Sequence, residues 1–233
     1  MTCMDGLSEL VEMYRTDKRT HADSSAWLMV NMITSIDGAI AVEGLSGGLG
    51  NEADFAVFKT LRGLADVILV GAGTAGAESY KVPSPNAAGV RPVIAVVSRR
   101  LSIDLESALF ADPTYRPAVV TTTDADAALV GAIAQVADVV AAGVGQVDVS
   151  AAVQQLAARF GPTILAEGGP TLNAQLAADD LVDELCVTTS PLVIGGAGGR
   201  MLANGPVHDP RSFVIDRSVP IGGLVFARYL RQR

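Results

Sequence analysis

The sequence passes twice from an apolar run into a glycine-rich loop, first in Asp66-Val-Ile-Leu-Val-Gly71-Ala-Gly-Thr-Ala-Gly76-Ala and again in Pro162-Thr-Ile-Leu-Ala-Glu167-Gly-Gly-Pro-Thr-Leu-Asn173. In both, the apolar run is typical of a strand, and helix-forming residues follow the glycines. This order directs backbone N–H groups and the positive end of a helix dipole toward whatever lies beyond the strand. Two such loops predict a ligand with two phosphate-bearing ends, and a dinucleotide is the obvious candidate.

The bulk composition indicates one globular α/β domain. Of the 233 residues, 49% are hydrophobic and 18% are charged, with no low-complexity tract. The apolar runs are shorter than the roughly 18 residues of a membrane span, and the N-terminus lacks a signal layout, so we expect a cytoplasmic protein without membrane contact. A net charge of −8 argues against a nucleic-acid surface. Two cysteines and two histidines predict neither a disulfide framework nor a metal site.

Apolar runs and helix-forming stretches alternate along most of the chain. Residues 1–25 hold a weak helical pattern and are predicted to be a docking or partly mobile extension, while residues 26–233 form one domain. The first predicted strands are 27–33, 66–70, 92–97, 118–121, 138–141 and 163–166, with helices between most of them. The last ones, 183–190, 212–216 and 224–230, have no helix between them. We therefore predict a three-layer α/β/α fold whose mixed, mainly parallel sheet ends in antiparallel C-terminal strands.

Several loop and helix boundaries are predicted from single residues. Asn51 and Ser150 are predicted to cap the N-termini of helices. Pro170 fits the first turn of a helix, because its missing N–H costs nothing there. The glycine run at 195–199 connects two predicted strands, so we interpret it as a mobile loop and not as a third phosphate site.

The first glycine loop alone fits the dinucleotide fingerprint G-x-G-x-x-G, as Gly71-Ala-Gly73-Thr-Ala-Gly76. However, that fingerprint normally lies at the first strand-to-helix turn, and here at least one strand and one helix precede it. About 20 residues later, where NAD-binding proteins have an acid, stands Ser98-Arg99-Arg100. A hydroxyl and two guanidinium groups at a strand end suit the 2′-phosphate of NADP. The plainer explanation of these features is that the two arginines are solvated on the surface and that the glycines form turns without a ligand.

A series of motifs resembles the pyrimidine reductase domain of riboflavin biosynthesis. The motifs are Asn31-Met-Ile-Thr-Ser35-Ile-Asp37-Gly38, Leu61-Arg62 before Ala65-Asp66-Val-Ile-Leu-Val-Gly-Ala-Gly-Thr74, and Leu165-Ala-Glu167-Gly-Gly-Pro-Thr-Leu-Asn173 followed by Leu181-Val-Asp-Glu-Leu185. The similarity covers residues 26–230. It implies the dihydrofolate-reductase-like fold, NADPH lying across the edge of the sheet, and a homodimer.

The resemblance also implies roles for individual residues. Those implied for cofactor binding are Gly48, Gly50, Thr74, Glu78, Ser98, Arg99, Gly169, Pro170, Thr171, Leu172 and Asn173. Within this set, Ser98 and Arg99 correspond to the 2′-phosphate site, and the turn that starts at Gly169 corresponds to the pyrophosphate site. The residues implied for substrate binding are Ser46, Arg62 and Glu167. The chemistry agrees, because a carboxylate can accept two N–H bonds from an amino-pyrimidine edge and an arginine can bind an anionic group.

Some of these residues also have a purely structural interpretation. Glu167 could stabilise the N-terminus of the helix that follows it, Arg62 could be a solvated helix residue, and Asp37 could cap its own loop. The implied reaction is direct hydride transfer from NADPH to a C=N bond or an opened sugar carbon of a pyrimidine-like or pterin-like substrate. The proton would come from Glu167, Asp37 or water.

The chain departs from the resembled pattern at three points. It lacks the H-x-E and P-C-x-x-C motifs of the zinc deaminase that often accompanies this reductase. Asn31 stands where bacterial members commonly have lysine. In the segment after Glu78 the arginine expected at the substrate phosphate has no clear counterpart, although Lys81 or Arg91 could replace it. A paralogue that reduces dihydrofolate or another pterin, and a non-catalytic NADP-binding protein, are therefore the alternative functions.

Overall fold

The computed structural model describes residues 3–23, 25–196, 199–206 and 208–233, except for the side chains of residues 3–5. The strands are β1 (Trp27–Ser35), β2 (Val67–Gly71), β3 (Val93–Val97), β4 (Ala118–Thr121), β5 (Asp138–Ala141), β6 (Thr163–Ala166), β7 (Glu184–Ser190), β8 (Phe213–Ile221) and β9 (Leu224–Arg231). The helices are α1 (Cys3–Thr16), α2 (Glu52–Leu64), α3 (Ala72–Ala77), α4 (Ala127–Val136), α5 (Val149–Phe160) and α6 (Pro170–Ala178).

All nine strands form one sheet in the order β5-β4-β3-β2-β6-β1-β7-β9-β8. The pairings from β5 to β7 are parallel, whereas β9 pairs antiparallel with both β7 and β8. The predicted sheet, mainly parallel with an antiparallel C-terminal end, is therefore confirmed. Because parallel strands share one carboxyl edge, the loops after β1, β2, β3 and β6 emerge on the same side of the sheet.

Two apolar cores lie on opposite faces of this sheet. Successive side chains of a strand point to opposite faces, and the apolar strand residues therefore divide between the two cores. Leu28 of β1 packs with Leu156 of α5 and Leu176 of α6 on one face, while Met29 packs with Leu61 of α2 on the other. Helices thus cover both faces, which confirms the predicted three layers.

The N-terminal segment docks onto the second of these faces. Leu10 and Tyr14 of α1 are fully buried, and α1 packs against α2 and β8. Beyond the helix, Arg19 is also buried and donates hydrogen bonds from Nε and Nη2 to the Glu184 carboxylate, at 2.9 and 2.8 Å. The apolar positions of this weak helical pattern therefore belong to the core.

One predicted helix cap differs from the structure, and one predicted loop is only partly described by it. Helix α5 begins at Val149 and is capped by Asp148, which accepts a hydrogen bond from the N–H of Ala151 at 2.9 Å, so the prediction of Ser150 as the cap is wrong. In the loop predicted at 195–199, residues 197 and 198 lie outside the described residues, as do residues 1, 2, 24 and 207. No helix in the described part of the chain is both long and apolar enough to cross a bilayer.

Candidate active site

The two glycine loops lie in direct contact. Strands β2 and β6 are neighbours, and the N–H of Gly71 donates a hydrogen bond to the carbonyl of Gly168 at 2.7 Å. Gly169 faces Thr74 so closely that a Cβ at this position would lie 2.6 Å from the threonine hydroxyl. A side chain on residue 169 would therefore displace Thr74. The loops build a single site at the carboxyl edge of the sheet.

The helices that start at these loops lack the side-chain caps found elsewhere in the molecule. Helices α2, α4 and α5 are capped by carbonyl or carboxylate oxygens of Asn51, Asp126 and Asp148. The N-cap residues of α3 and α6 are Gly71 and Gly169, which have no side chain to offer. The first N–H groups of α6 therefore lack a side-chain acceptor, and an anion can take that place. This arrangement fits the pyrophosphate of a dinucleotide.

Beside the loops lies a cavity of about 280 Å³. It brings together six residues that were predicted for the cofactor or the substrate, namely Ser46, Thr74, Glu78, Glu167, Gly169 and Pro170. Side chains from β1 and α2 complete its wall, among them Asn31, Asp54 and Phe58. The cavity therefore joins the ends of β1 and β6 to one side of α2, where a planar ring could lie against the start of α6.

Glu167 lines this cavity, and two residues hold its carboxylate through three hydrogen bonds. Arg62 donates from Nε and Nη2 to the two carboxylate oxygens, both at 2.7 Å, and the Tyr80 hydroxyl donates to Oε2 at 2.5 Å. The guanidinium of Arg62 lies between two aromatic rings, 4.2 Å from the centre of Phe58 and 5.0 Å from that of Tyr80. Among the described residues, the Glu167 oxygens thus accept hydrogen bonds from Arg62 and Tyr80 and none from the N–H groups of α6.

Charge and burial act together on this cluster. Burial alone would lower the pKa of Arg62, but the hydrogen bonds and charge of Glu167 outweigh it and raise that pKa. Burial and the nearby carboxylate also raise the pKa of Tyr80, so its hydroxyl remains a hydrogen-bond donor. A carboxylate offers about four acceptor positions, and three are filled here. Glu167 can accept one further N–H from a ligand, and a second would require Tyr80 to move.

A second contact joins Ser46, which was predicted to bind the substrate, to Glu78, which was predicted to bind the cofactor. Ser46 donates from its backbone N–H and from its hydroxyl to Oε1 of Glu78, at 2.9 and 2.8 Å. Both residues line the cavity that also holds Glu167. The other oxygen of Glu78 has no partner among the described residues.

Asp54, like Tyr80, lines the cavity although the sequence predicted no function for it. It lies on the first turn of α2 and lines the cavity. Gly50 is so close that a Cβ added to it would lie 2.7 Å from the Asp54 carboxylate. Burial raises the pKa of Asp54, and the Thr188 hydroxyl opposes that shift. In sequence, Asp54 looks like an acid that stabilises a helix N-terminus. Only its position beside β1 and β6 shows that it faces the site.

Asp37 and Arg91, two other residues considered for the reaction, lie outside the cavity. The Asp37 carboxylate accepts hydrogen bonds from the Ser35 hydroxyl and from the N–H groups of Ile194 and Gly195, which lower its pKa to about 2. It caps loops, as its structural interpretation proposed, and holds no proton at neutral pH. Arg91 donates to the carbonyl of Pro83 at 3.2 Å and lines none of the cavities in the described part of the chain near Glu167.

The remaining residues predicted to bind the cofactor lie along the same edge of the sheet and differ in how far they are buried. Ser98 follows β3 and is buried, and Arg99 is exposed, with its Nη1 3.4 Å from the carbonyl of Gly145. Strand β2 separates them from β6, so they lie to one side of the glycine loops. Along α6, Thr171 is exposed, whereas Leu172 belongs to the core and Asn173 is buried. Leu172 and Asn173 could therefore approach a ligand through their backbone only and not through their side chains. Gly48 lies beside Val42 in the loop before α2.

The residues of the described chain do not group into a site for a resident metal ion. No cluster of three or more histidine, cysteine, aspartate or glutamate side chains occurs within that part. The site consists of one carboxylate held by arginine and tyrosine, one half-buried acid without an ion pair among the described residues, and two helix starts without side-chain caps.

Comparisons with known proteins identify the family of the chain. The model of the family described as RibD C-terminal domain matches residues 26–213. A relative from Methanothermobacter thermautotrophicus, named 2,5-diamino-6-ribosylamino-4(3H)-pyrimidinone 5′-phosphate reductase, is 28% identical over 211 residues, which are 87% of this chain and 97% of the relative.

Solved structures show the same fold. A pyrimidine reductase-like protein from Corynebacterium diphtheriae superimposes with a TM-score of 0.80 at 27% identity, covering 89% of this chain and 92% of the other. Dihydrofolate reductase from Enterococcus faecalis, solved with NADP(H), superimposes with a TM-score of 0.50 at 14% identity over 89% of this chain and 97% of the other. That likeness confirms the dihydrofolate-reductase-like fold. The chain belongs to the RibD C-terminal domain family and is an oxidoreductase.

Proposed function

We propose that the protein is an NADPH-dependent reductase of a ribosylamino-pyrimidine 5′-phosphate in riboflavin biosynthesis. One observation carries the proposal: Glu167, fixed by Arg62 and Tyr80, faces the same cavity as Thr74 and the uncapped start of α6. A pyrimidine-binding carboxylate and a pyrophosphate-binding helix start thus lie side by side. The reductase names of the archaeal relative and of the corynebacterial structure support this substrate class.

The residues that would hold the cofactor follow from the geometry of the loops. Gly71 and Gly169 bring the backbone of two helix starts together, and the lack of a Cβ at residue 169 leaves room for Thr74. The N–H groups at the start of α6 would bind the pyrophosphate, and Ser98 with Arg99 would bind the 2′-phosphate. When bound there, NADPH supplies the hydride.

The residues that would hold the substrate line the same cavity. Glu167 accepts an N–H of the pyrimidine ring, and Arg62 keeps that carboxylate in place through its two-pronged contact. Asp54 is the proposed proton donor, because it lines the cavity and its pKa is raised by burial. Neither Asp37, which caps loops, nor Glu167, which is paired with Arg62, suits that role as well.

Turnover of two candidate substrates tests the proposal. The purified protein is given NADPH together with the ribosylamino-pyrimidinone 5′-phosphate or dihydrofolate, and consumption is followed by loss of NADPH absorbance. Consumption with the pyrimidine alone supports the proposal. Consumption with dihydrofolate alone supports the pterin alternative, and tight NADPH binding without turnover supports the non-catalytic one. A matched series with NADH tests the role of Ser98 and Arg99. If these residues bind the 2′-phosphate, which NADH lacks, the protein should prefer NADPH.

The proposal includes a homodimer in the cytoplasm. Strand β8 is the outer edge of the sheet, and its Val214 and Ile215 side chains are exposed. An unpaired strand edge with apolar side chains is a suitable surface for a second copy of the chain. Sedimentation should give twice the mass of one chain. A monomer at micromolar concentration would overturn this part of the proposal.

A further inference from the structure

The side chain of Arg62 is flanked by two aromatic rings. Its guanidinium carbon lies 4.2 Å from the ring centre of Phe58 and 5.0 Å from that of Tyr80. Phe58 precedes Arg62 by four residues on α2, a spacing that brings two side chains together on one side of a helix. Val57 and Leu61 of the same helix are buried in the core. Phe58 and Arg62 therefore occupy the strip of α2 next to the core, where the helix borders the proposed active site.

The carboxylate of Glu167 and the two rings hold Arg62 in different ways. Nε and Nη2 of Arg62 donate to the two oxygens of Glu167, both at 2.7 Å, which fixes one edge of the guanidinium. The rings of Phe58 and Tyr80 attract the same cation through their faces, and this attraction is strongest where water is excluded. Only 19% of the Arg62 side chain is exposed. The two aromatic residues therefore form a slot that fits a planar cation, and Arg62 occupies it.

Arg62 would have room to leave Glu167 if this slot were open. Its side chain also lines a second cavity of about 520 Å³, which runs between α2 and the segment that follows α3. A long side chain gains rotamer freedom when it is released from a fixed position. Glu167, with 4% of its side chain exposed, would then keep Tyr80 as its only side-chain donor among the described residues. The position of the Glu167 carboxylate therefore depends on what holds Arg62.

We propose that Phe58 is a positioning residue for substrate recognition, because its ring holds Arg62 against Glu167 and thereby fixes the carboxylate that meets the substrate. This inference rests on the proposed function, which places the pyrimidine ring at Glu167. Tyr80 completes the slot and also bonds Glu167 directly. Phe58 has no polar atom in its side chain, so it acts on Glu167 through Arg62. Because Phe58 also lines the cavity, direct contact with the substrate is the competing explanation.

A double-mutant cycle separates these two explanations. Phe58→Leu, Arg62→Ala and the double variant are assayed with NADPH and the ribosylamino-pyrimidinone 5′-phosphate. Phe58→Tyr is the conservative variant, since it keeps the ring. Phe55→Leu is the matched control, because Phe55 lies on the same helix and its ring pairs, among the described residues, with Lys59 at 5.1 Å and not with Arg62. Thermal unfolding checks that each variant folds.

Phe58→Leu should lower kcat/KM for the pyrimidine roughly tenfold, mainly through KM, and Arg62→Ala should lower it roughly 30-fold, while the KM for NADPH changes little. If Phe58 acts through Arg62, the double variant should lose no more than Arg62→Ala alone. A loss of about 300-fold, the product of the two single losses, would overturn the positioning role in favour of direct contact. Phe58→Tyr and Phe55→Leu should both stay within about twofold of the unaltered protein, and a loss in Phe55→Leu equal to that in Phe58→Leu would overturn the role as well.

Guanidinium itself tests the slot without turnover. The two rings remain in Arg62→Ala, so millimolar guanidinium chloride should bind between them, raise the midpoint of thermal unfolding and partly restore kcat/KM. The same concentration of sodium chloride should do neither, and guanidinium should do neither in the double variant. An Arg62→Ala protein that does not respond to guanidinium would overturn the slot. If the unaltered protein turns over no substrate, the proposed function fails, and the unfolding midpoints decide the slot alone.

Discussion

Strands β6 and β7 flank β1 on either side, and Glu167 directly follows β6 whereas Glu184 begins β7. Both carboxylates are bound by arginine. Glu184 is fully buried and receives Nε and Nη2 of both Arg19 and Arg228 at 2.8 to 3.1 Å, together with Nε1 of Trp27 at 3.1 Å. These donors exceed the four acceptor positions of a carboxylate. Glu167 has one arginine and one tyrosine, and it opens into a cavity.

The difference separates an acid that stabilises the fold from one that can recognise a ligand. Glu184 joins α1 and the segment after it to the antiparallel end of the sheet, and it has no capacity for another donor. Glu167 has that capacity, and its partners come from elements that themselves line the site. A glutamate bound by arginine can therefore either stabilise the fold or recognise a ligand. The number of donors around the carboxylate and its access to a cavity decide between these two roles.

The largest expected effect belongs to Glu184. Glu184→Gln would remove the buried charge that Arg19 and Arg228 share and leave these arginines only Asp17 and Asp216 as acidic partners. The free energy of unfolding should therefore fall by about 3–5 kcal/mol. The control is Asp138→Asn, because Asp138 also contacts two arginines, Arg116 and Arg159, but these are solvent-exposed. Its loss should cost at most about 1 kcal/mol. Urea denaturation measures both, and equal losses would contradict the distinction.

The pKa of Glu184 gives the pH dependence of the same effect. Burial would raise this pKa, but Arg228 and Arg19 lower it to about 2 from the ordinary value of 4.5. Since the folded pKa lies below the unfolded one, the stabilisation is fully present above about pH 4.5 and is lost as the pH falls toward 2. Glu184→Gln should therefore flatten the acid limb of the stability curve.

Asp54 should show the largest effect on catalysis. Asp54→Asn removes the proposed proton donor, and kcat should fall by about 100-fold. Because the pKa of Asp54 is raised, activity of the unaltered protein should decline as the pH rises through that pKa, and this decline should vanish in the variant. Asp37→Asn is the control, since its pKa of about 2 places its titration below the assay range. A pH profile unchanged by Asp54→Asn would exclude the role.

Glu167 comes next. Glu167→Gln keeps the shape of the side chain but removes the charge that Arg62 and the ligand N–H require, so kcat/KM should fall roughly 30-fold, equivalent to about 2 kcal/mol. NADPH affinity, measured through the change in the fluorescence of NADPH itself on binding, should change little. An equal loss of turnover and of NADPH affinity would mean that Glu167 acts on the start of α6. Glu9→Gln, on the exposed side of α1, should change neither quantity.

The fold and much of the site could be predicted from the sequence because their signals are local. Strand and helix order follow from apolar periodicity, and the glycine loops lie in fixed positions after strands. The contact between these loops depends on β2 and β6 being neighbours, which no local pattern encodes. Asp54 and Tyr80 were missed for the same reason, since a first-turn acid and a loop tyrosine acquire a role only when α2 and the segment after α3 meet Glu167.

Tyr80 should show the smallest effect, and it tests how Glu167 is oriented. Tyr80→Phe removes the hydroxyl that bonds Oε2 but keeps the ring beside Arg62, so kcat/KM should fall roughly fivefold, or about 1 kcal/mol, with stability unchanged. In the control Tyr115→Phe the opposite is expected, because the Tyr115 hydroxyl bonds the backbone of Ile94 and Pro92 away from the cavity. That variant should lose stability and keep its activity. A lower substrate KM in Tyr80→Phe would instead mean that the hydroxyl competes with the substrate for Glu167, because its removal would free the second acceptor position that a pyrimidine edge needs.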